Sequence, residues 1–365
     1  MEVDYFTNLP SEITTEILSR LSIRSLAISK SVCKSWRDLF DVVKSKIKTP
    51  PALVLFYRGQ DSTRCKIIEI EDEDEDEADL ESHDLYYHPL TDLVIPHRST
   101  GLIQCVTANA LLLFYSPLLR GIYICNLINR EYTELSYPDD YTPYQSLQFG
   151  FGVSKISRKY KVIWINSDFH CVYTLGRGTW RRVEADPASV YSLLGRAISC
   201  NHNLHWTAYD SRNNIWTFCS FDVETECFDI FSYPPTGDRS GSLSVLRDCL
   251  CYSYYARNNE IVIWMMKEYQ VDESWTVEYK MSTAGLDISN FNTRYMHVAA
   301  IKLFKDGDVL MMLDHSILVY YSNKTRTLRR VNMLKDADAK KGYAQIFNPS
   351  LLSLKSLGLK NVILF

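Results

Sequence analysis

The feature that most constrains this chain is a recurring hairpin with a nearly fixed period. A short apolar strand, a tight polar turn and a second strand carrying one large side chain recur in YICNLINREYTEL, VYTLGRGTWRRVE, SFDVETECFDIF and VYYSNKTRTLRRV. Asn126, Thr174, Asp222 and Ser322 each stand six residues before the large side chain, which is Tyr132, Trp180, Phe228 or Leu328. Trp275, in WMMKEYQVDESWTVEY, is the remaining anchor, behind a turn longer by three residues. The anchors are separated by 48, 48, 47 and 53 residues. Such regularity marks a repeated supersecondary unit, and blades of four strands have periods of about 40 to 50 residues.

Each full unit carries two earlier strands, as GLIQCV and ALLLFY precede YICNL. The spacing gives six units, with seven blades or an open stack as alternatives. One step back from Tyr132 lands near Asp84, Leu85 and Tyr86, inside DLYYHPL. The first unit therefore contains the acidic run EDEDEDEADLES as an expansion of its turn (acidic loop 71–84). A run of like charge without apolar period reads as a solvated loop. Pro50 and Pro51 leave no room for the first unit's innermost strand. The segment around Tyr343 to Phe347 is the candidate to supply it and close the ring, removing two exposed sheet edges.

Ahead of this β-rich body lies a different pattern. Pro10 suits the first turn of a helix, with Ser11 and Glu12 beside it. Ile13, Ile17, Leu18 and Leu21 then form an apolar stripe opposite Glu12, Glu16 and Arg20. Ile23, Leu26 and Ile28 lead to a third apolar set, Val32, Trp36, Leu39 and Phe40. Three short helices in about 35 residues cannot bury a sufficient core alone, so another chain is expected to cover the remainder.

Composition narrows the function classes. The net charge of -4 gives no basic footprint, which disfavours nucleic acid as the main partner. The 24 Tyr and 7 Trp favour strands. No apolar run approaches the length of a membrane span, and Met1-Glu2-Val3-Asp4 begins acidic where a secretory signal begins basic. The chain is therefore expected in the cytoplasm or nucleus, its ten cysteines reduced and acting as small buried hydrophobes.

No catalytic pattern stands out. Cys200-x-His202-x-x-His205 lies on a strand whose alternate side chains face opposite ways, and is read as structural rather than as a metal site. Gly150-Phe-Gly152 and Gly176-Arg-Gly178 lack the context of a dinucleotide loop and read as turn or bulge glycines. Asp139-Asp140 and Asp306-x-Asp308 read as turn formers. No cofactor or metal is expected.

In an antiparallel four-stranded unit with strands a to d, the b-to-c and d-to-a connections share one face. The long d-to-a loops place Tyr141, Tyr144, Tyr233, Phe291, Arg294 and Tyr295 there, residue types that anchor protein interfaces. Asp210, Arg212, Tyr255 and Arg257 are the b-to-c candidates on the same face. For each of the aromatics the alternative is packing of its loop against the body.

Residues 8–40 resemble the F-box, through Leu9-Pro10, Ile13 to Leu18, Ser25-Leu26 and Val32 to Arg37. Ser22 and Ser29-Lys30-Ser31 depart from the usual pattern. The body resembles the F-box-associated, kelch-like interaction domain of plant F-box proteins, through GFGVSKISRKYKVIWI, LGRGTWRRVE, NLHWTAYD, SFDVETECF and IWMMKEYQVDESW. The resemblance implies an α+β multidomain chain: a three-helix F-box over 1–48, a linker at 49–51 and an all-β propeller over 52–365. It further implies a non-catalytic substrate-recognition subunit of a cullin-RING ubiquitin ligase, bound to a Skp-type adaptor and through it to cullin and a RING protein. Leu9, Pro10, Ile13, Ile17, Leu18, Leu26, Val32, Cys33 and Trp36 would then divide between the F-box core and the adaptor interface. A ligase-independent scaffold and a propeller enzyme are the competing readings.

Overall fold

The computed structural model describes residues 9–19, 25, 51–58, 62–69, 89–96, 104–116, 121–139, 148–165, 169–184, 192–236, 241–289, 291–293, 296–315, 317–331 and 342–364. Among the described residues, helix α1 (Ser11–Ser19) precedes the strands. Its first turn is closed by Thr14, whose backbone N–H and hydroxyl both donate to the Pro10 carbonyl at 3.1 and 3.2 Å. Pro10 thus stands just outside the helix as its cap rather than within its first turn. Of the other two predicted helices only Ser25 is described, and it is helical; the rest of both lies outside the described residues.

The strands follow in groups. The first is β1 (Ala52–Arg58), β2 (Ser62–Glu69) and β3 (Pro89–Pro96). Next are β4 (Gln104–Ala108), β5 (Leu111–Ser116), β6 (Gly121–Asn126) and β7 (Glu131–Leu135), then β8 (Gln148–Val153), β9 (Tyr160–Ile165), β10 (Phe169–Thr174) and β11 (Trp180–Glu184). The fourth group is β12 (Ser192–Cys200), β13 (Asn203–Asp210), β14 (Ile215–Asp222) and β15 (Phe228–Ser232). The fifth is β16 (Ser242–Leu246), β17 (Cys249–Ala256), β18 (Glu260–Met266) and β19 (Trp275–Ser282). The sixth is β20 (Val298–Leu303), β21 (Val309–Leu313), β22 (Ile317–Ser322) and β23 (Thr327–Arg330), followed by β24 (Gly342–Phe347) and β25 (Ile363–Leu364).

Each group is an antiparallel meander, and β24 completes the first one as its innermost strand, in the order β24-β1-β2-β3. Six four-stranded blades result, with β25 added outside β7 in the second. The predicted closure is what forms: Ala52 pairs with Phe347 and Phe56 with Tyr343. The first blade's turn lies between β2 and β3, and its outer strand begins at Pro89, at the far end of the segment to which the repeat pointed. The acidic run itself lies outside the described residues.

The repeat acquires a physical meaning in the ladders. In every anchored blade the large side chain pairs with the residue just before the turn former: Cys125 with Tyr132, Tyr173 with Trp180, Phe221 with Phe228, and Tyr321 with Leu328. Met266 pairs with Trp275 across the longer fifth turn. The Asn126 carboxamide oxygen accepts from Ile128 N and Asn129 N, and an Asp222 oxygen accepts from Glu224 N and Thr225 N. These side chains imitate a backbone turn, which fixes hairpin register locally.

The core lies between blades. Alternate residues of β1 face opposite neighbours. Ala52, Val54 and Phe56 join Leu112, Phe114 and Cys125 of the second blade, with the Phe56 and Phe114 rings edge-on at 5.4 Å. Leu53 and Leu55 join Leu310, Met312, Leu318 and Tyr320 of the sixth. Because β1 is apolar on both faces, it requires a blade on each side, and only a closed ring provides that.

After β24 the chain emerges at the end of the propeller that carries the a-to-b and c-to-d turns, the end at which Pro51 leads into β1. It then runs outward as a strap to pair Ile363 and Leu364 with Tyr132 and Glu131. Asn126 Nδ2 donates to the Ser350 and Leu352 carbonyls at 3.0 and 2.7 Å. The Glu131 carboxylate accepts from Ser353 Oγ and Leu354 N at 3.0 and 2.7 Å.

Candidate functional site

Helix α1 presents the first candidate surface. Ile13 and Ile17 lie one turn apart on one face and are 48% and 38% exposed. Pro10 beside them is exposed and Leu9 half-buried, whereas Thr14 is buried. Covering what remains exposed of one such isoleucine contributes about 1 kcal/mol, so the pair together forms a docking element of about 2 kcal/mol. Leu18 belongs to the same helix. Leu26, Val32, Cys33 and Trp36 lie outside the described residues.

The second candidate is the loop face, opposite the end at which Pro51 enters and the C-terminal strap leaves. Asp210 closes the β13–β14 turn, accepting from Arg212 N at 2.9 Å and from Asn213 Nδ2 at 2.8 Å. Those hydrogen bonds, with the Arg212 charge, outweigh desolvation and hold its carboxyl below the usual carboxylate range. Arg212 and Arg257 are exposed in their turns.

The loop-face aromatics that are described pack inward. Tyr233 stacks on Phe218 with centroids 4.2 Å apart and meets Tyr252 edge-on at 4.8 Å. Tyr255 is buried and donates to Asn259 Oδ1 at 3.0 Å, and Phe291 packs against the cluster between the fifth and sixth blades. Tyr141, Tyr144, Arg294 and Tyr295 lie outside the described residues.

The residues weighed as chemical groups are committed elsewhere. The Cys200 thiol donates to the Asp248 carbonyl, and burial, with Asp248 and Cys249 nearby, pushes it up to about 12. His205 Nε2 lies 2.9 Å from the Tyr269 hydroxyl, and burial pushes the imidazole down to about 4. His202 is exposed in the turn between them, at φ 64°. The Asp308 carboxylate accepts from Tyr320 and from Asn323 N, and Asp306 Oδ1 accepts from Asp308 N. Among the described residues no group of three or more His, Cys, Asp or Glu is placed to hold a metal.

The sequence did not point to the central channel, a cavity of about 1050 Å³ lined by β12, β16, β20 and β24 together with the turns at their ends. No single segment signals it, because its wall is assembled from one strand of each of several blades.

Comparison with known proteins places both parts of the chain. The family model of the F-box associated beta propeller domain matches residues 43–350, and that of the F-box domain matches residues 6–48. Among curated relatives, F-box protein At3g07870 of Arabidopsis thaliana is 25% identical, over 87% of this chain and 85% of its own length. F-box/kelch-repeat protein At3g23880 of the same plant is 28% identical, over 74% of this chain and 78% of its own. F-box protein CPR1, also from Arabidopsis thaliana, is 25% identical, over 88% and 84% respectively.

Proposed function

The chain belongs to the family of F-box proteins with an F-box-associated β-propeller domain, and from that premise we propose that it is the substrate-recognition subunit of an SCF-type ubiquitin ligase. The F-box docks on a Skp-type adaptor, and the propeller holds a target protein by its loop face. The adaptor links the receptor to cullin and a RING protein, which present a charged ubiquitin-conjugating enzyme to the bound target. The receptor itself breaks and forms no covalent bond. Its contribution is proximity, which raises the effective concentration of target lysines to about the millimolar range. It works in the cytoplasm, the nucleus or both.

The observation that carries this reading is the pairing of a matched F-box with a closed six-bladed propeller in one chain. Topology supports it as well. The chain enters β1 at the end opposite the loop face, which leaves that face accessible while the N-terminal module is engaged. The exposed Ile13 and Ile17 supply an apolar surface for the adaptor.

Co-expression with a Skp-type adaptor tests the proposal. The wild type should elute as a 1:1 complex that also brings down cullin, and an Ile13→Asp, Ile17→Asp variant should lose the complex while its propeller unfolds at the wild-type temperature. A wild-type chain that stays monomeric with every adaptor overturns the proposal, and adaptor binding without cullin replaces it with a ligase-independent scaffold.

A further inference from the structure

The channel wall departs from regular strand geometry at one place. Along β12 the partners run Leu194 with Thr207 and then Ile198 with His205, so four steps on β12 match two on β13. The three residues between them, Gly195, Arg196 and Ala197, stand against Trp206 alone and bulge onto the channel, with Gly195 at φ 76°. Bulges of this kind re-aim a side chain, and here the residue between the two small ones is an arginine.

Arg196 is near His297, which leads into β20 on the channel wall. His297 is tied to the β21–β22 turn by its carbonyl, which accepts from Asp314 N at 2.8 Å, and its ring lies against that of His315 with centroids 4.0 Å apart. Burial, His315 and Arg196 together push His297 down to about 3, so the ring is neutral. Its Nδ1 is buried with no hydrogen-bond partner among the described residues. The same holds for the hydroxyls of Ser242 and Ser244 on β16, which are 8% and 7% exposed as residues and line the same cavity.

Three polar groups left unpaired in one cavity are destabilising, since a buried donor or acceptor without a partner keeps its full desolvation penalty. The charge around them is one-sided: Arg196, Arg247 and Lys302 line the channel, against Asp248. Cations confined in a low-dielectric cleft concentrate anions. A cavity of about 1050 Å³ is at the upper end of the range for small-ligand sites and also admits a side chain of a bound protein.

We propose that the channel is an anion-binding site, in which Arg196 and His297 engage a phosphate monoester or carboxylate and the hydroxyls of Ser242 and Ser244 complete its hydrogen bonding. The anion is carried by a free small molecule or by a side chain of a protein seated on the loop face. The site requires no adaptor, so a small-molecule anion stands apart from the receptor function proposed above, whereas a protein-borne anion rests on it.

The test uses the full chain, with inorganic phosphate, O-phosphoserine, citrate and a phosphoserine-containing peptide as probes in calorimetric titration at constant ionic strength. Saturable binding of at least one probe is expected, weakened at least about tenfold in Arg196→Gln and in His297→Asn. A Ser242→Ala, Ser244→Ala variant guards against misfolding: removing unpaired hydroxyls should raise the melting temperature of the free protein while weakening the anion. A purely structural role for those serines would not combine the two effects. Tighter binding of the peptide than of free phosphate or phosphoserine assigns a protein-borne anion, and equal or weaker binding assigns a small molecule. Absence of saturation by all four probes up to about 10 mM overturns the proposal, as does wild-type affinity in the Arg196 and His297 variants. Adaptor binding, measured in parallel, should be unchanged by Arg196→Gln, so failure of one proposal is distinguishable from failure of the other.

Discussion

Ala52 and Phe347 stand opposite each other in the first blade, the earliest strand of the body paired with a strand near the end of the chain. Phe347 is 3% exposed and packs into the cluster between the first two blades. Phe347→Ala should therefore open a cavity in the seam that closes the ring, at a cost of about 3–5 kcal/mol. Urea unfolding at constant slope checks it. A loss below about 1 kcal/mol would mean that the closing strand contributes little to the cooperative unit.

Asn126 serves two masters, and its substitution separates them. Its oxygen makes the β6–β7 turn, a task that Asp222 performs equally well with a carboxylate in the β14–β15 turn. Its nitrogen, however, donates to two carbonyls of the C-terminal strap. Asn126→Asp keeps the turn but directs a carboxylate oxygen at those carbonyls in a fully buried position, and should cost about 2–4 kcal/mol. Hydrogen exchange over residues 350–364 should accelerate accordingly. Asp222→Asn, with no strap to hold, should change stability by less than about 0.5 kcal/mol.

His205 predicts a pH dependence. It is fully buried and held neutral, its pKa near 4 in the folded chain against about 6.5 unfolded. The unfolded chain thus binds the extra proton first. The contribution is complete above pH 6.5 and is lost as pH falls toward 4, with about 2 kcal/mol gone at pH 5. His205→Gln should be less stable than wild type at pH 7 yet lose about 2 kcal/mol less between pH 7 and pH 5. Denaturant midpoints at the two pH values measure the difference, and parallel losses in both proteins would refute it.

Much of the architecture was legible because its signals are local. The turn formers Asn126, Asp222 and Ser322 and the anchors six residues later specify one hairpin each, and their spacing counts blades. The missing inner strand could be placed because Pro51 leaves β1 without an inner neighbour. The strap was not legible, since Asn126 carries the same sequence signal whether or not its amide has a second partner. Nor was the channel, whose Arg196, Ser242 and His297 come from three separate blades. The loop-face aromatics illustrate a further limit. Tyr233 and Tyr255 occupy loop-face positions in sequence, yet each has an internal partner that only the fold brings within reach.

The hairpin repeat also contains a conformational rule that can be tested directly. The residue two before the anchor is left-handed in four blades: Arg130 at φ 55°, Gly178 at 82°, Glu226 at 63° and Arg326 at 59°. Only the third blade has glycine there, and a Cβ at Gly178 would meet nothing within 4 Å. Gly178→Ala should therefore cost about 1 kcal/mol from backbone conformation alone, without any clash. The reverse change, Arg130→Gly, relieves that strain but frees the unfolded chain, so the two effects oppose and the net gain should be about 0.5 kcal/mol. Glu226→Gly should behave differently despite the same backbone. The Glu226 carboxylate bridges Lys161, at 2.9 Å, and Arg181, and removing it leaves the largely buried Lys161 ammonium hydrogen-bonded to the Val223 and Glu224 carbonyls without its ion-pair partner. Melting temperatures should fall for Gly178→Ala and Glu226→Gly and rise for Arg130→Gly. A fall for Arg130→Gly would show that the left-handed site is not strained by a side chain.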